Sequence, residues 1–179
     1  LSSIYQINAN VIYSRFFYDS FLKRLSLSKY RNKFVLKGGL YLSSLIGVDR
    51  RYTMDIDFYV KSLLLEKDNL ETILNEIIQV DVDDGINFSI ISINDIRQHD
   101  IYGGFTFTIL GQLENIRERF DIDIATGDPI VPSSKHYKYN CLLTNEKIDI
   151  STYSLESVIS EKVQTILSRG TTNSRSKDY

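Results

Sequence analysis

Tryptophan is absent from these 179 residues, and cysteine and methionine occur once each. A lone thiol, Cys141, cannot close an internal disulfide. Packing alone must hold the core, and a reducing compartment, the cytoplasm, is the expected setting. Cys141 itself reads as a small buried or half-buried side chain. Two prolines and nine glycines are too few for a low-complexity segment. No apolar run approaches the roughly 20 residues that span a bilayer, and no secretory leader is visible, so neither a membrane span nor a membrane partner is expected. The net charge of −2 exerts no general pull on nucleic acid, and any RNA contact must rest on a local basic patch. His99 and His136 lack metal-ligand spacing to each other or to Cys141, which leaves them as surface or loop residues. Nucleophile elbow, phosphate-binding P-loop and dinucleotide fingerprint are all missing.

Hydrophobic residues make up 42% of the chain and charged residues 25%, enough apolar material for a real core. Ile12, Phe16, Phe17, Phe21 and Leu25 recur at helical spacing between Asn10 and Leu25, with Arg15, Asp19 and Lys23 elsewhere on the wheel. Phe34–Leu36 reads as a short strand, Leu40–Ile46 as a helix, Met54–Val60 as a strand and Asp68–Ile78 as a helix. Strands are predicted at Ile86–Ile93, at Phe105–Leu110 after a Gly103-Gly104 turn, and at Arg117–Ala125, which Gly127-Asp128-Pro129 ends. Ser154 starts a last helix that runs to about Ser168. This order predicts a mixed α/β (α+β) fold: a core over 1–150 and the start of a helical C-terminal region over 151–179. Leu1 and Tyr179 both look like cut ends of something longer. The twelve tyrosines are scattered, as core and rim residues are.

The sharpest chemical signal is Met54-Asp55-Ile56-Asp57-Phe58. Alternate side chains of a strand face opposite ways, so Met54, Ile56 and Phe58 can enter the core while Asp55 and Asp57 emerge side by side. A short acidic strand is often only a solvated face. Here the pattern recurs, with Phe120, Ile122 and Ile124 alternating with Asp121 and Asp123. If the two strands are neighbours, their carboxylates gather where a hard cation such as Mg²⁺ or Mn²⁺ would be held against substrate phosphates. Spacing does not decide between Asp121 and Asp123.

Two further features fit that chemistry. Gly38-Gly39 lies between a strand and a helix, where a bare backbone can approach phosphate at a helix N-terminus; in isolation the pair reads first as a tight turn. In the last helix, Leu155, Val158, Ile159, Val163 and Ile166 define an apolar stripe that contains Lys162, with Arg169 on nearly the same side and Glu156 and Glu161 elsewhere. An inward lysine snorkels, pairs with an acid, or neutralises triphosphate charge.

Taken in order, Val35-Leu36-Lys37-Gly38-Gly39, Arg51-Tyr52-Thr53-Met54-Asp55-Ile56-Asp57-Phe58, Phe120-Asp121-Ile122-Asp123-Ile124, Gly127-Asp128-Pro129, Glu161-Lys162-Val163 and Arg175-Ser176-Lys177-Asp178-Tyr179 resemble the AbiEii/AbiGii family. These are nucleotidyltransferase-like toxins of bacterial abortive-infection systems. The resemblance implies a DNA-polymerase-β-like nucleotidyltransferase fold, an NTP substrate (GTP among the candidates), a tRNA or protein acceptor, and a cognate antitoxin. By motif it implies phosphate binding at Gly38 and Gly39, metal binding at Asp55, Asp57 and Asp123, a nucleotide-facing Lys162, and Asp178 as the first aspartate of a terminal acidic motif. The chain departs from the pattern in two places. Many related sites have Gly-Ser at 38–39, and the pattern normally continues past residue 179. A nucleotide- or antitoxin-binding module without turnover is therefore the alternative to an active transferase.

Overall fold

The computed structural model describes residues 9–47, 53–96, 103–125, 133–144 and 146–169. Helix α1 (Ala9–Leu27) leads into strand β1 (Phe34–Lys37), which passes directly into helix α2 (Gly38–Ile46). Strand β2 (Asp55–Val60), helix α3 (Lys67–Ile78) and a three-strand meander follow: β3 (Asn87–Asp95), β4 (Gly104–Leu113) and β5 (Ile116–Ala125). A hairpin, β6 (Lys135–Asn140) and β7 (Lys147–Thr152), precedes helix α4 (Leu155–Arg169). The strands form one mixed sheet in the order β3-β4-β5-β2-β1-β7-β6. β2 lies at its centre, parallel to β5 and antiparallel to β1.

Ring packing builds the core. Phe17, Tyr18 and Phe21 of α1 meet Phe58, Phe88 and Phe120 from three strands, mostly edge to face. Each such side chain contributes about 1.5–3 kcal/mol on burial. Gly111 on β4 is required by this packing, because a Cβ there would overlap the Phe17 ring.

Four features differ from the sequence-based expectation. Arg15 and Asp19 were expected on a solvated side of α1, yet both are buried, as are Ser14, Ser20 and Arg24. Burial is tolerated because they are paired. Arg15 Nε donates to Asp19 Oδ1 at 3.1 Å, and Asp19 also accepts from the Tyr139 hydroxyl and the Leu142 N–H. Arg24 clamps Asp84 with both terminal nitrogens, at 2.8 and 2.9 Å. Burial alone would raise the Asp84 carboxyl, but Arg24 and Ser20 hold it down to about 2. Met54 stays outside the core, 69% exposed, because β2 begins only at Asp55.

The hairpin β6–β7 was not anticipated. Most side chains of β6 are exposed, and only Tyr139 is buried there, so the sequence carries little alternation to read. The stripe of α4 is the fourth difference. Val158 is buried, but Leu155, Ile159 and Val163 are 46%, 54% and 48% exposed. Ser154 starts the helix as expected, its Oγ accepting from the Ser157 N–H at 3.1 Å. Arg51, Tyr52, His99, Gly127, Asp128, Pro129, and Arg175 to Tyr179 with Asp178 lie outside the described residues. Cys141 is buried and His136 exposed, as expected.

Candidate active site

Register brings the two acidic strands together. In the parallel β2–β5 pair, Asp55 sits opposite Asp121 and Asp57 opposite Asp123. Ile56, Phe58, Ile122 and Ile124 fill the core side, which forces the carboxylates onto the other face. Asp55, Asp57 and Asp123 each offer a carboxylate oxygen within 4.8 Å of the other two. Two opposite ligands of an octahedral Mg²⁺ span about 4.2 Å, so three half-buried, all-oxygen donors at this separation suit a hard divalent cation. Asp121 is exposed and stands outside the cluster, hydrogen-bonded to Thr108 at 2.7 Å. The choice that spacing left open therefore falls geometrically on Asp123.

The carboxylates repel one another in a partly desolvated place. Burial first, and the Asp55 charge second, push the Asp57 carboxyl up to about 6; Asp123 adds to the rise, while Lys37 and the Gly39 N–H oppose it. Asp123 is also raised, by burial first and then by the charges of Asp55 and Asp121, against the Thr106 hydrogen bond and Lys37. A divalent cation among them would offset both the burial and the mutual repulsion.

Two threonines aim the ligands. Thr53 Oγ1 donates to Asp55 Oδ1 at 2.5 Å, and Thr106 Oγ1 donates to Asp123 Oδ1 at 2.6 Å. Each hydroxyl fixes one oxygen of its carboxylate. Gly38 and Gly39 begin α2 directly over this cluster. Gly38 has φ +64°, and a Cβ on it would overlap the Asp57 carboxylate. The Gly39 N–H donates to Asp57 Oδ2 at 3.3 Å, and a Cβ there would meet Thr53. The glycine pair thus serves close approach between a helix N-terminus and the acidic strand.

Lys37 extends the row. Lys37 pairs with Asp57 across β1–β2, Asp57 with Asp123 across β2–β5, and Asp123 with Thr106 across β4–β5, so all four share one face of the sheet. From α4, Glu161 approaches the Lys37 Nζ at 3.6 Å, and Lys37 lies 5.7 Å from the Tyr153 ring centroid. Glu161, expected to point away, is thus an α4 residue that reaches this row. Lys162 is half-buried next to it; Arg169 ends the helix, and its side chain lies outside the described set. Lys37, Thr53 and Glu161 stand inside the sequence motifs, which gave them no role of their own, and Thr106 stands outside every motif. Thr106 is found only from the β4–β5 register.

The fold is thus a mixed sheet that carries three carboxylates beneath a glycine-led helix. The chain belongs to the family of AbiEii nucleotidyl transferase toxins of type IV toxin–antitoxin systems, whose model matches residues 20–179. Similar solved structures include JHP933 from Helicobacter pylori, at 16% identity and TM-score 0.56, and a candidate nucleotidyltransferase from H. pylori, at 16% identity and TM-score 0.54. Each likeness covers 96% of this chain but 64% and 66%, respectively, of the neighbour, so the chain spans just under two thirds of their length. No curated protein matches.

Proposed function

We propose that this chain carries the catalytic face of a metal-dependent nucleotidyltransferase, the toxin of a toxin–antitoxin pair, that moves a nucleotidyl group from an NTP to a tRNA or protein acceptor. The observation that supports it best is the convergence of Asp55, Asp57 and Asp123 from two strands separated in sequence. Asp55, Asp57 and Asp123 would hold Mg²⁺ or Mn²⁺. A bound ion supplies Lewis-acid stabilisation of the charge that grows on phosphoryl oxygens. Gly38 and Gly39 give the triphosphate a close backbone approach at the start of α2; Lys162 and Asp178 complete the site on the family pattern, and Arg169 joins Lys162 by helical spacing. The acceptor oxygen forms a bond to the α-phosphorus as the bond to the pyrophosphate oxygen breaks. Asp123 either completes the ligand set or takes the acceptor's proton.

Asp57→Ala in the full chain should abolish transfer of radiolabel from an α-labelled NTP while leaving the circular dichroism unchanged. A variant that still transfers label would end this assignment. Binding of ATP or GTP by the wild-type chain with no transfer to any RNA or protein would point instead to a binding module. Which acceptor and which base are used, the cognate antitoxin and the cytoplasmic setting belong to the same reading.

A further inference from the structure

Within that reading, we infer that Lys37 is a triphosphate-contacting residue, and that Glu161 of α4 is its partner while no nucleotide is bound. Three observations place it. Lys37 stands directly beside Asp57 in strand register and on the same face as Asp57 and Asp123, so it flanks the carboxylates on the side from which α2 starts. It is one residue before Gly38, whose backbone crosses Asp57, and its charge acts on both Asp57 and Asp123, so a phosphate chain laid beside these carboxylates would feel the same ammonium. Its Nζ is held 3.6 Å from Glu161 on a side chain 22% exposed, too long for a strong hydrogen bond and within reach of solvent. A lysine with a loose partner can exchange one oxyanion for another at small cost, as a point-charge phosphate ligand does.

A residue that held only the fold together would not give the pattern of signs that follows. Lys37 repels a divalent cation at the carboxylates and attracts a triphosphate. Lys37→Gln should therefore bind Mn²⁺ alone more tightly than wild type, yet bind the Mg²⁺ complex of α,β-methylene ATP or GTP about tenfold more weakly or worse. Glu161→Gln frees the ammonium and should tighten the nucleotide complex. Lys37→Arg, which keeps the charge, should restore most of the nucleotide affinity. The measurements are calorimetry with Mn²⁺ and with each analogue on the full chain, alongside thermal melts.

Equal weakening of metal and nucleotide by Lys37→Gln, or no change in either, overturns the inference. If Lys37→Gln fails to fold, Glu161→Gln decides alone, and unchanged or weaker nucleotide binding there overturns it. A wild-type chain that binds neither Mn²⁺ nor the analogues sinks the underlying transferase reading. Loss of the Lys37 effect with wild-type binding intact sinks only this inference.

Discussion

At the scale of single residues, the site combines repulsion with tight aim. Asp57 sits where burial and the Asp55 charge work against its ionisation. Asp57→Asn removes that repulsion together with one of the charges proposed to hold the metal. The metal-free variant should melt at a higher temperature than wild type at pH 7, and Mg²⁺ should no longer raise its melting temperature. Thr106→Val keeps the shape but deletes the hydroxyl that fixes Asp123 Oδ1. It should weaken Mn²⁺ binding several-fold, by roughly the 1 kcal/mol of a typical hydrogen bond, and Thr106→Ser should recover most of the loss; calorimetry reads both. Gly38→Ala faces a backbone at φ +64° and a carboxylate where its methyl would go. The conformation alone costs about 1–2 kcal/mol for a residue with a Cβ, so denaturant melts should report at least that loss.

At the scale of elements, α1 is tied to the sheet by polar groups as well as by rings. Asp19 accepts from Arg15, from the Tyr139 hydroxyl on β6 and from the Leu142 N–H, while Arg15 reaches Ser43 on α2 at 3.3 Å. Asp19→Ala leaves a buried guanidinium without its acid and should cost about 3–5 kcal/mol, measurable as a lower urea midpoint with an unchanged slope. Most elements were readable from periodicity, because β2 and β5 alternate cleanly and α3 repeats its apolar residues at 70, 73, 74, 77 and 78. The polar lining of α1 was not, because Arg15 and Asp19 look solvated on a wheel and only the fold shows Tyr139 waiting opposite them. β6 was hidden for the converse reason, since an edge strand with one buried side chain lacks a pattern. Asp55, Asp57 and Asp123 were legible as candidates; their meeting was not, because adjacency is a property of strand order.

At the scale of the whole molecule, the site and the fold share one pH dependence. The folded pKa of Asp57, about 6, exceeds the unfolded value of 3.8, so between those values the native chain binds more protons than the unfolded one. Without metal, this group's contribution to stability should therefore fall as pH rises from about 4 to about 6. A divalent ion reverses the sense, because it requires the ionised carboxylate. The stabilisation by Mg²⁺ should grow as pH rises through about 6, which melts with and without Mg²⁺ across pH 4.5–8 would reveal. An Mg²⁺ effect independent of pH would argue against Asp57 as a ligand.

The central position of β2, parallel to β5, also has a consequence for the order of synthesis. The third carboxylate sits more than sixty positions downstream of the first two, beyond α3, β3 and β4. A nascent polypeptide still short of Asp123 has two of the three clustered carboxylates and lacks β5, the strand that brings the third. Metal affinity should appear late during translation, once β5 has docked, so a half-made chain on the ribosome would lack the complete carboxylate cluster.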